Sequence, residues 1–319
     1  MPAQPSKFAI LAAFAAVYLI WGSTYLGILF AIQSIPPFLM AGVRYALAGT
    51  ILFAIARVNG APKPALETWR SALIIGACLL LCGNGGVTLS EKWVPTGIAA
   101  LLVATIPIDM ALLGWLTGIT PAPTPMVWLG LLGGFTGVGV LVGGALTSHS
   151  HSPNNHFALG VLVLLFGSFV WSAGSLYSRQ VKSAPSPLLA AGQQMLCGGG
   201  LLILAGIGFG EYRGFDPRQI TSLSAVAFVY LVVIGALVGF PAYIFLLRHC
   251  DPAKVATYAY VNPIVALFLG TFFAGEHLAT RTLFGAGLII GSVAVVIAAQ
   301  RIGPRPPAIM ARSAPGCAR

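Results

Sequence analysis

Charged residues are scarce in this sequence of 319 residues. Lysine and arginine number 17 and aspartate and glutamate only 7, so charged residues make up 8% of the chain, against about 25% in a typical soluble domain. So few charges cannot cover the surface of a water-soluble globule of this size. Hydrophobic residues make up 57%, which excludes a disordered chain. The sequence therefore predicts a protein that keeps most of its surface in lipid.

Motifs of several enzyme and partner classes are also absent. The sequence has neither the Gly-x-Ser-x-Gly motif of a serine hydrolase elbow nor the Gly-Lys-Ser/Thr of a P-loop. Its acidic residues are scattered singly, whereas metal-dependent phosphoryl chemistry needs clustered carboxylates. Its basic residues form no stripe interleaved with aromatics, so we expect no nucleic-acid partner. An intramembrane enzyme of unknown chemistry stays an alternative, but nothing in the sequence favours an enzyme.

Cysteine and histidine predict neither a metal site nor a cofactor. The cysteines are Cys78, Cys82, Cys197, Cys250 and Cys317. Their spacing gives no metal or disulfide framework, although the first two share a helix face and could hold a soft metal instead of packing. The cluster of histidines comprises His149, His151 and His156. A metal there would need further ligands, and a solvated loop is the competing interpretation.

Apolar runs of the length that a bilayer requires are abundant. A hydrocarbon core about 30 Å thick needs about 20 apolar residues per helix. Runs between proline, glycine and charged residues predict an all-α integral membrane protein with ten transmembrane helices. The predicted spans are Phe8–Ile32, Pro37–Ala56, Ser71–Ser90, Pro95–Leu116, Met126–Thr147, Phe157–Tyr177, Leu188–Phe209, Leu223–Leu247, Val255–Gly275 and Thr282–Ala299. The first run continues to Ile32, so we expect a retained helix instead of a cleaved signal peptide.

The basic residues predict the orientation of these helices. Because cytoplasmic loops are rich in Lys and Arg, both termini are expected inside, in a multi-pass protein of the cell (inner) membrane. This orientation places twelve basic residues inside: Lys7, Arg57, Lys63, Arg70, Arg179, Lys182, Arg248, Lys254, Arg301, Arg305, Arg312 and Arg319. It places four outside: Lys92, Arg213, Arg218 and Arg281.

The two halves of the sequence repeat. Shifts of 150 to 159 residues align equivalent positions: Trp21 with Trp171, Pro37 with Pro187, Arg44 with Gln194, residues 75–77 with 234–236, Pro95 with Pro252, Pro107 with Pro263 and Gly130 with Gly285. Five helices per copy is an odd number, so the second copy must enter the membrane from the opposite side. We therefore predict inverted repeats over residues 8–147 and 157–300, an outer His-containing linker at 148–156 and a basic, Pro-rich cytoplasmic tail at 301–319.

Several segments resemble a known family. They are WGSTY at 21–25, SEKWVPTG at 90–97, YAYVNPIVA at 258–266 and GEHL at 275–278. Together with Arg44 they resemble an EamA-type transporter of the drug/metabolite transporter superfamily, over about residues 8–300. The resemblance implies ten helices with both termini inside and a central cavity between the repeats. It also implies alternating-access movement of small metabolites, usually export.

Two ionisable residues fall inside predicted spans, where each costs at least about 2.5–3.5 kcal/mol on insertion scales. Arg44 is a candidate anchor for an anionic substrate group, and an outward-reaching structural ion pair is the alternative. Either Glu91 or Asp109 could be its partner. Asp109 is the candidate for proton coupling, and an acid with access to water near the cytoplasmic mouth is the alternative. The family usually has an apolar or aromatic residue at the position of Asp109.

The expected substrate cavity combines aromatic and amide side chains. We expect it to be lined by Trp21, Tyr25, Arg44, Asn84, Trp171, Tyr177, Gln194, Tyr243, Tyr258, Tyr260 and Asn262. Such a wall suits amphipathic or aromatic metabolites and cations, while ordinary packing of large rings is the alternative for any single residue.

Proline and glycine predict where helices bend and where they pack closely. Pro107 and Pro263 interrupt two helices at matched positions and are candidate hinges, with kinked but rigid packing as the alternative. Gly133 and Gly137, and likewise Gly287 and Gly291, are spaced to let the fifth and tenth helices approach closely, or to form a homodimer.

The sequence thus predicts a secondary active transporter of small organic metabolites or drugs. Export by alternating access, with coupling to protons, is the expected mode. A channel-like facilitator is the alternative kind of transport protein, because a channel also needs polar residues along a path across the membrane.

Overall fold

The structure is a computed structural model that describes residues 6–119, 122–147, 156–250, 255, 257–276 and 279–302. The described part consists of helices and turns and contains no strand. Its helices are α1 Lys7–Ala31, α2 Pro37–Val58, α3 Leu66–Ser90, α4 Thr96–Leu116, α5 Pro125–Thr147, α6 Phe157–Ser178, α7 Pro187–Gly208, α8 Ser222–His249, α9 Tyr258–Phe273 and α10 Thr280–Ile302. Each predicted span overlaps one of these helices.

The lengths and surfaces of the helices are those of an integral membrane protein. In the described part, seven helices (α1 to α4 and α6 to α8) are long and apolar enough to cross a bilayer. The remaining three contribute shorter apolar stretches: Pro125–Val140, Val261–Phe273 and Thr280–Val296. Large apolar side chains such as Phe135, Phe166 and Leu204 are more than 60% exposed, which lipid tolerates and water does not.

Three helices are irregular, and two of these are equivalent in the repeat. Residues Ala77–Asn84 of α3 and Leu231–Gly239 of α8 are π-helical, a conformation that often accompanies functional sites. The α-helical course of α4 stops at Ala104 and resumes at Ile106, directly before Pro107, because proline lacks the N–H that would continue the ladder. Pro263 lies inside α9, which runs through it without a break. Whether either proline acts as a hinge stays a prediction.

Helices α2 and α7 pack against each other, and glycine permits their close approach. A Cβ atom on Gly42 would lie 3.0 Å from the carbonyl oxygen of Gly199, and a Cβ on Gly49 would lie 3.0 Å from that of Gly192. The residue numbers of the contacts rise along α2 while they fall along α7, so the two helices run antiparallel. With no side chain in between, their backbones are in contact.

Helices α5 and α10 form a second antiparallel pair. A Cβ atom on Gly133 would lie 2.4 Å from Ser292 Oγ, and one on Gly137 would lie 2.7 Å from Cγ1 of Ile289. The predicted partners on α10, Gly287 and Gly291, lie elsewhere: both are exposed, and a Cβ on either would meet no atom within 4 Å. Helix α10 instead buries the face that carries Ala286, Ile289, Val293 and Val296, at helical spacing.

Several other helix contacts are reciprocal between the halves. Helix α1 packs on α8 and α9, and α6 packs on α3 and α4. Helix α3 packs on α7, and α8 packs on α2. Each of these contacts has a counterpart between the equivalent helices of the other half, which lie five helices earlier or later in the chain.

Connections gather at two ends of the bundle. At one end, Lys182 of the α6–α7 connection lies 3.0 Å from Glu67 at the start of α3. The guanidinium of Arg248 at the end of α8 donates to the carbonyl oxygens of Ala184 and Pro185. The α2–α3, α6–α7 and α8–α9 connections therefore begin or end on the same side.

At the opposite end, two glutamates cap helices of the first half. Glu211, after α7, accepts hydrogen bonds from the backbone N–H groups of Phe38 and Leu39 at the start of α2. Glu276, after α9, accepts from Thr96 N–H and Oγ and from Gly97 N–H at the start of α4. Each carboxylate thus satisfies orphan donors at a helix N-terminus, where negative charge is favoured.

Candidate functional site

A cavity lies between the two halves and is lined by helices of both. It encloses about 660 Å³ of empty space, part of it open to solvent. The first half contributes Trp21, Thr24, Tyr25, Ile28, Arg44, Tyr45, Gly83, Asn84, Val87, Val103 and Ile106, and the second half contributes Gly167, Ser168, Trp171, Gly235, Tyr258 and Asn262. We call this space the central cavity.

An aromatic cluster of four rings forms one wall of the central cavity. Trp21 meets Trp171 edge to face with ring centroids 5.6 Å apart, and it meets Tyr258 in the same way at 5.5 Å. Tyr243 lies behind them, 4.8 Å from the Trp21 ring, and its hydroxyl accepts a hydrogen bond from Trp171 Nε1. Packed rings of this kind are rigid and offer a large apolar surface to a ligand.

The π-helical segments make room for the two tryptophans. A Cβ atom on Gly83 of α3 would lie 2.6 Å from Cε3 of Trp171. A Cβ on Gly239 of α8 would lie 2.7 Å from Nε1 of Trp21. Each indole therefore packs against a glycine in the opposite half, and the two glycines lie on equivalent helices of the two repeats.

Arg44 is 2% exposed and lines the central cavity. Its Nη2 donates to Asn84 Oδ1 at 2.8 Å and to the hydroxyl of Tyr45, whose ring lies 4.3 Å from the guanidinium carbon. Among the described residues, its Nε and Nη1 have no hydrogen-bond partner. A buried charged donor without a partner costs more than the roughly 1–3 kcal/mol of a neutral one. The cavity thus keeps a cation with free donor capacity.

Neither carboxylate that the sequence offered as a partner pairs with Arg44. Within the described part of the chain, no carboxylate oxygen of Glu91 or Asp109 lies within 4 Å of the guanidinium. Glu91 is 4% exposed, and neither of its oxygens has a hydrogen-bond partner there. Burial raises the pKa of Glu91 well above its usual range, and the charge of Glu276 adds to the rise while Arg44 opposes it. Burial therefore favours the neutral form of this carboxyl.

Further polar atoms around the central cavity lack partners among the described residues. They are the hydroxyl of Tyr258, Oδ1 of Asn262 and Oγ of Ser168. With the free donors of Arg44, they offer one cationic anchor and three groups that can accept a hydrogen bond. The arrangement can hold a small molecule that carries an anionic group, a hydrogen-bond donor and an apolar part.

Seven of the eleven predicted cavity residues line the cavity: Arg44, Trp21, Tyr25, Asn84, Trp171, Tyr258 and Asn262. Tyr243 lies behind the aromatic wall, as described above. Tyr177 packs at the edge of the core, and Gln194 lines a different pocket. The helical period gives the spacing of these residues but does not say which face turns inward. The side chain of Tyr260 lies outside the described residues.

Asp109 lies on α4, three residues beyond Ile106, which lines the central cavity. It is half-buried, and its Oδ2 has no hydrogen-bond partner in the described part of the chain. Its role in proton coupling stays a prediction.

Several lining residues were not predicted from the sequence. Tyr45 and Thr24 are among them, and they are adjacent in the chain to the predicted residues Arg44 and Tyr25. Ser168 could have been found, because Ser168, Ser172 and Ser175 follow one face of the otherwise apolar α6 at helical spacing, together with Trp171.

No group of three metal-ligating side chains occurs among the described residues. Cys78 and Cys82 are half-buried free thiols. His149, His151 and Cys317 lie outside the described residues.

Comparison with known proteins gives the same family for both halves. The EamA-like transporter family matches residues 7–143 and again residues 158–298. The chain is 36% identical over 299 residues to the uncharacterized inner membrane transporter YedA of Escherichia coli (strain K12), covering 93% of each chain. It is 25% identical over 293 residues to the uncharacterized transporter YvbV of Bacillus subtilis, covering 91% of this chain and 92% of that one.

A solved crystal structure shares the fold, with a TM-score of 0.64 and 20% sequence identity over 93% of this chain and 100% of that chain. The family matches cover most of the residues that form the helices and the central cavity. The chain belongs to the EamA-like transporter family and is a multi-pass inner membrane transporter.

Proposed function

We propose that the chain is a secondary carrier that exports small organic solutes with an anionic group and an apolar part by alternating access. The observation that carries this proposal is the guanidinium of Arg44, buried in the central cavity with two nitrogens that have no partner among the described residues. A solute carboxylate or phosphate would accept from these donors in a planar, bidentate arrangement. The aromatic wall beside it would hold the apolar part.

The proposal includes ten spans arranged as two inverted repeats, with both termini in the cytoplasm. The antiparallel course of the equivalent helices α2 and α7, and of α5 and α10, supports inversion. The reciprocal helix contacts and the two matches to one family support duplication. The end of the bundle that holds Arg57, Arg179, Lys182 and Arg248 is richer in positive charge, as expected of a cytoplasmic side.

Closure of the path beside the cavity favours a carrier over a channel. The four rings of the aromatic cluster lie in mutual contact, and Tyr243 is fully buried among them. A solute that leaves the central cavity on this side needs the rings to move apart. Such a barrier fits alternating access, in which the site opens to one side at a time.

Proton coupling is assigned in this proposal to Asp109. Its Oδ2 is buried without a partner in the described part of α4, next to the interruption before Pro107. A carboxyl at such a place can take up and release a proton as the helix segment moves. Outward movement follows from the family resemblance.

The experiment is transport into proteoliposomes of a labelled panel of organic anions, cations and neutral solutes, with and without a pH gradient. We expect uptake of at least one anionic solute that is chemically unchanged, shows counterflow and responds to the gradient. Asp109→Asn should abolish the response to the gradient while counterflow persists. Uptake without counterflow would indicate a channel, an altered solute would indicate an enzyme, and an unchanged response of Asp109→Asn would end the assignment to this residue.

A further inference from the structure

A second pocket opens at the end of the bundle that is rich in positive charge. It encloses about 730 Å³ of empty space between the ends of α6 and α8, the α6–α7 connection and α7. Arg179, Arg248 and Gln194 line it. The central cavity does not share these residues, so this is a separate space, which we call the inner pocket.

The inner pocket contains polar groups that lack partners. Gln194 is 3% exposed, and its Oε1 has no hydrogen-bond partner among the described residues. Two guanidinium nitrogens of Arg248 donate hydrogen bonds to backbone carbonyl oxygens. Within the described part of the chain, neither Arg248 nor Arg179 has a carboxylate within 4 Å. The described residues that line the pocket thus include two positively charged side chains and no negatively charged one.

The repeat relates the inner pocket to the central cavity. The same shifts of 150 and 157 residues that align the two halves convert cavity residues into pocket residues: Ile28 into Ser178, Arg44 into Gln194 and Val87 into Ile244. The shift of 157 also places Arg248 where the first half has Glu91. In a protein built from inverted repeats, the equivalent of a cavity near one face is a cavity near the other.

One face of α6 joins the two spaces. Trp171 lines the central cavity, Ser175 donates or accepts at the hydroxyl of Tyr243, and Ser178 lines the inner pocket. Tyr243 belongs to the aromatic cluster, while the next residue, Ile244, lines the inner pocket. The aromatic cluster is therefore the partition between the two spaces.

We propose that the inner pocket is a binding site for the solute on the cytoplasmic side, in which Arg179 and Arg248 bind its anionic group and Oε1 of Gln194 accepts from a hydrogen-bond donor of the same solute. Its ligand is a carboxylate or phosphate, which the guanidinium groups would attract and bind. The inference rests on the proposed function, because it places the pocket on the same path as Arg44. In the inner pocket, the residue equivalent to Arg44 is the uncharged Gln194. The positive charge comes instead from Arg179 and Arg248, which lie near the surface.

The test is protection of arginines from phenylglyoxal, read residue by residue by peptide mass spectrometry of the full chain in nanodiscs. The probes are benzoate and inorganic phosphate in nanodiscs of zwitterionic lipid, and phosphatidylglycerol in place of part of that lipid. We expect benzoate or phosphate to protect Arg179. In the Arg179→Gln variant, half-protection of Arg248 should need about tenfold more anion.

The matched control is Lys182→Gln, which removes one charge from the same connection without lining the pocket and should leave protection unchanged. Protection of Arg179 by phosphatidylglycerol alone would assign the pocket to a lipid headgroup and overturn the proposal, as would no protection by any probe. Protection of Arg44 in the same spectra reports the central cavity separately. If the protein transports the solute but no probe protects Arg179, the inner binding site is refuted. The proposed carrier function is not refuted by that result.

Discussion

At the scale of single residues, the proposed preference for anionic solutes depends on Arg44, the buried cation of the central cavity. Arg44 has two partners, Asn84 and Tyr45, and both are neutral. A carboxylate partner would have compensated the charge of the guanidinium, and Arg44 would then be part of a buried structural ion pair. Without one, the charge is available to a ligand.

Replacing Arg44 should therefore weaken anion transport without harming the fold. In Arg44→Gln we expect the apparent affinity for a transported anion to fall by about tenfold to a hundredfold, because a charge-assisted hydrogen bond is lost. Arg44→Lys should retain part of it, since the charge remains but the planar donor pair does not. Initial rates in proteoliposomes measure both effects.

Melting temperature in detergent is the control for these variants. It should not fall in Arg44→Gln, because the substitution removes an unpaired buried charge. A variant that transports the anion with wild-type affinity would show that Arg44 is only structural.

At the scale of helices, glycine positions determine how closely the two halves meet. Gly199 and Gly200 are neighbours on α7. A Cβ on Gly199 would lie 2.7 Å from the backbone nitrogen of Ala46 on α2, whereas a Cβ on Gly200 would meet nothing within 4 Å. The pair is a matched test of the α2–α7 contact.

We expect Gly199→Ala to lower the free energy of unfolding by about 1–3 kcal/mol, because the added methyl group forces two backbones apart. Gly200→Ala should be neutral or stabilising, by up to about 1 kcal/mol, because alanine favours a helix over glycine. Thermal melting of the two variants in the same detergent measures the difference. Equal melting temperatures would contradict the close contact of α2 and α7.

Helix positions could be predicted from the sequence, but their local geometry could not. The hydropathy of each apolar run is a local property, so the predicted span Pro37–Ala56 and the helix α2 nearly coincide. The predicted span Ser71–Ser90 begins five residues too late because Leu66–Arg70 is helical although it contains the charged residues Glu67 and Arg70. The π-helical turns of α3 and α8 lie where α6 and α1 press a tryptophan against glycine. Such contacts between distant segments leave no local signal.

The residues that line the cavity could be predicted only in part, because contacts between distant segments determine which of them meet. Trp21 and Trp171 stood out because they repeat, and they do meet. Gln194 was grouped with Arg44 because the two are equivalent in sequence. The two side chains line different spaces, which fits the proposed inversion because inversion would send equivalent residues toward opposite faces.

At the scale of the whole molecule, we propose two inverted copies of a five-helix unit around one cavity. Reciprocal contacts, antiparallel equivalent helices and the distribution of basic residues all support this proposal. Inverted repeats would also permit alternating access, because each half could adopt the conformation of the other.

The most direct measurement compares two equivalent connections, those after α2 and after α7. Single cysteines in Lys63→Cys and Arg213→Cys are labelled with a membrane-impermeant maleimide in intact spheroplasts and after membrane disruption. Peptide mass spectrometry separates these sites from the native cysteines. The account predicts labelling of Arg213→Cys in intact spheroplasts and of Lys63→Cys only after disruption. Labelling of both sites from the same side would contradict it.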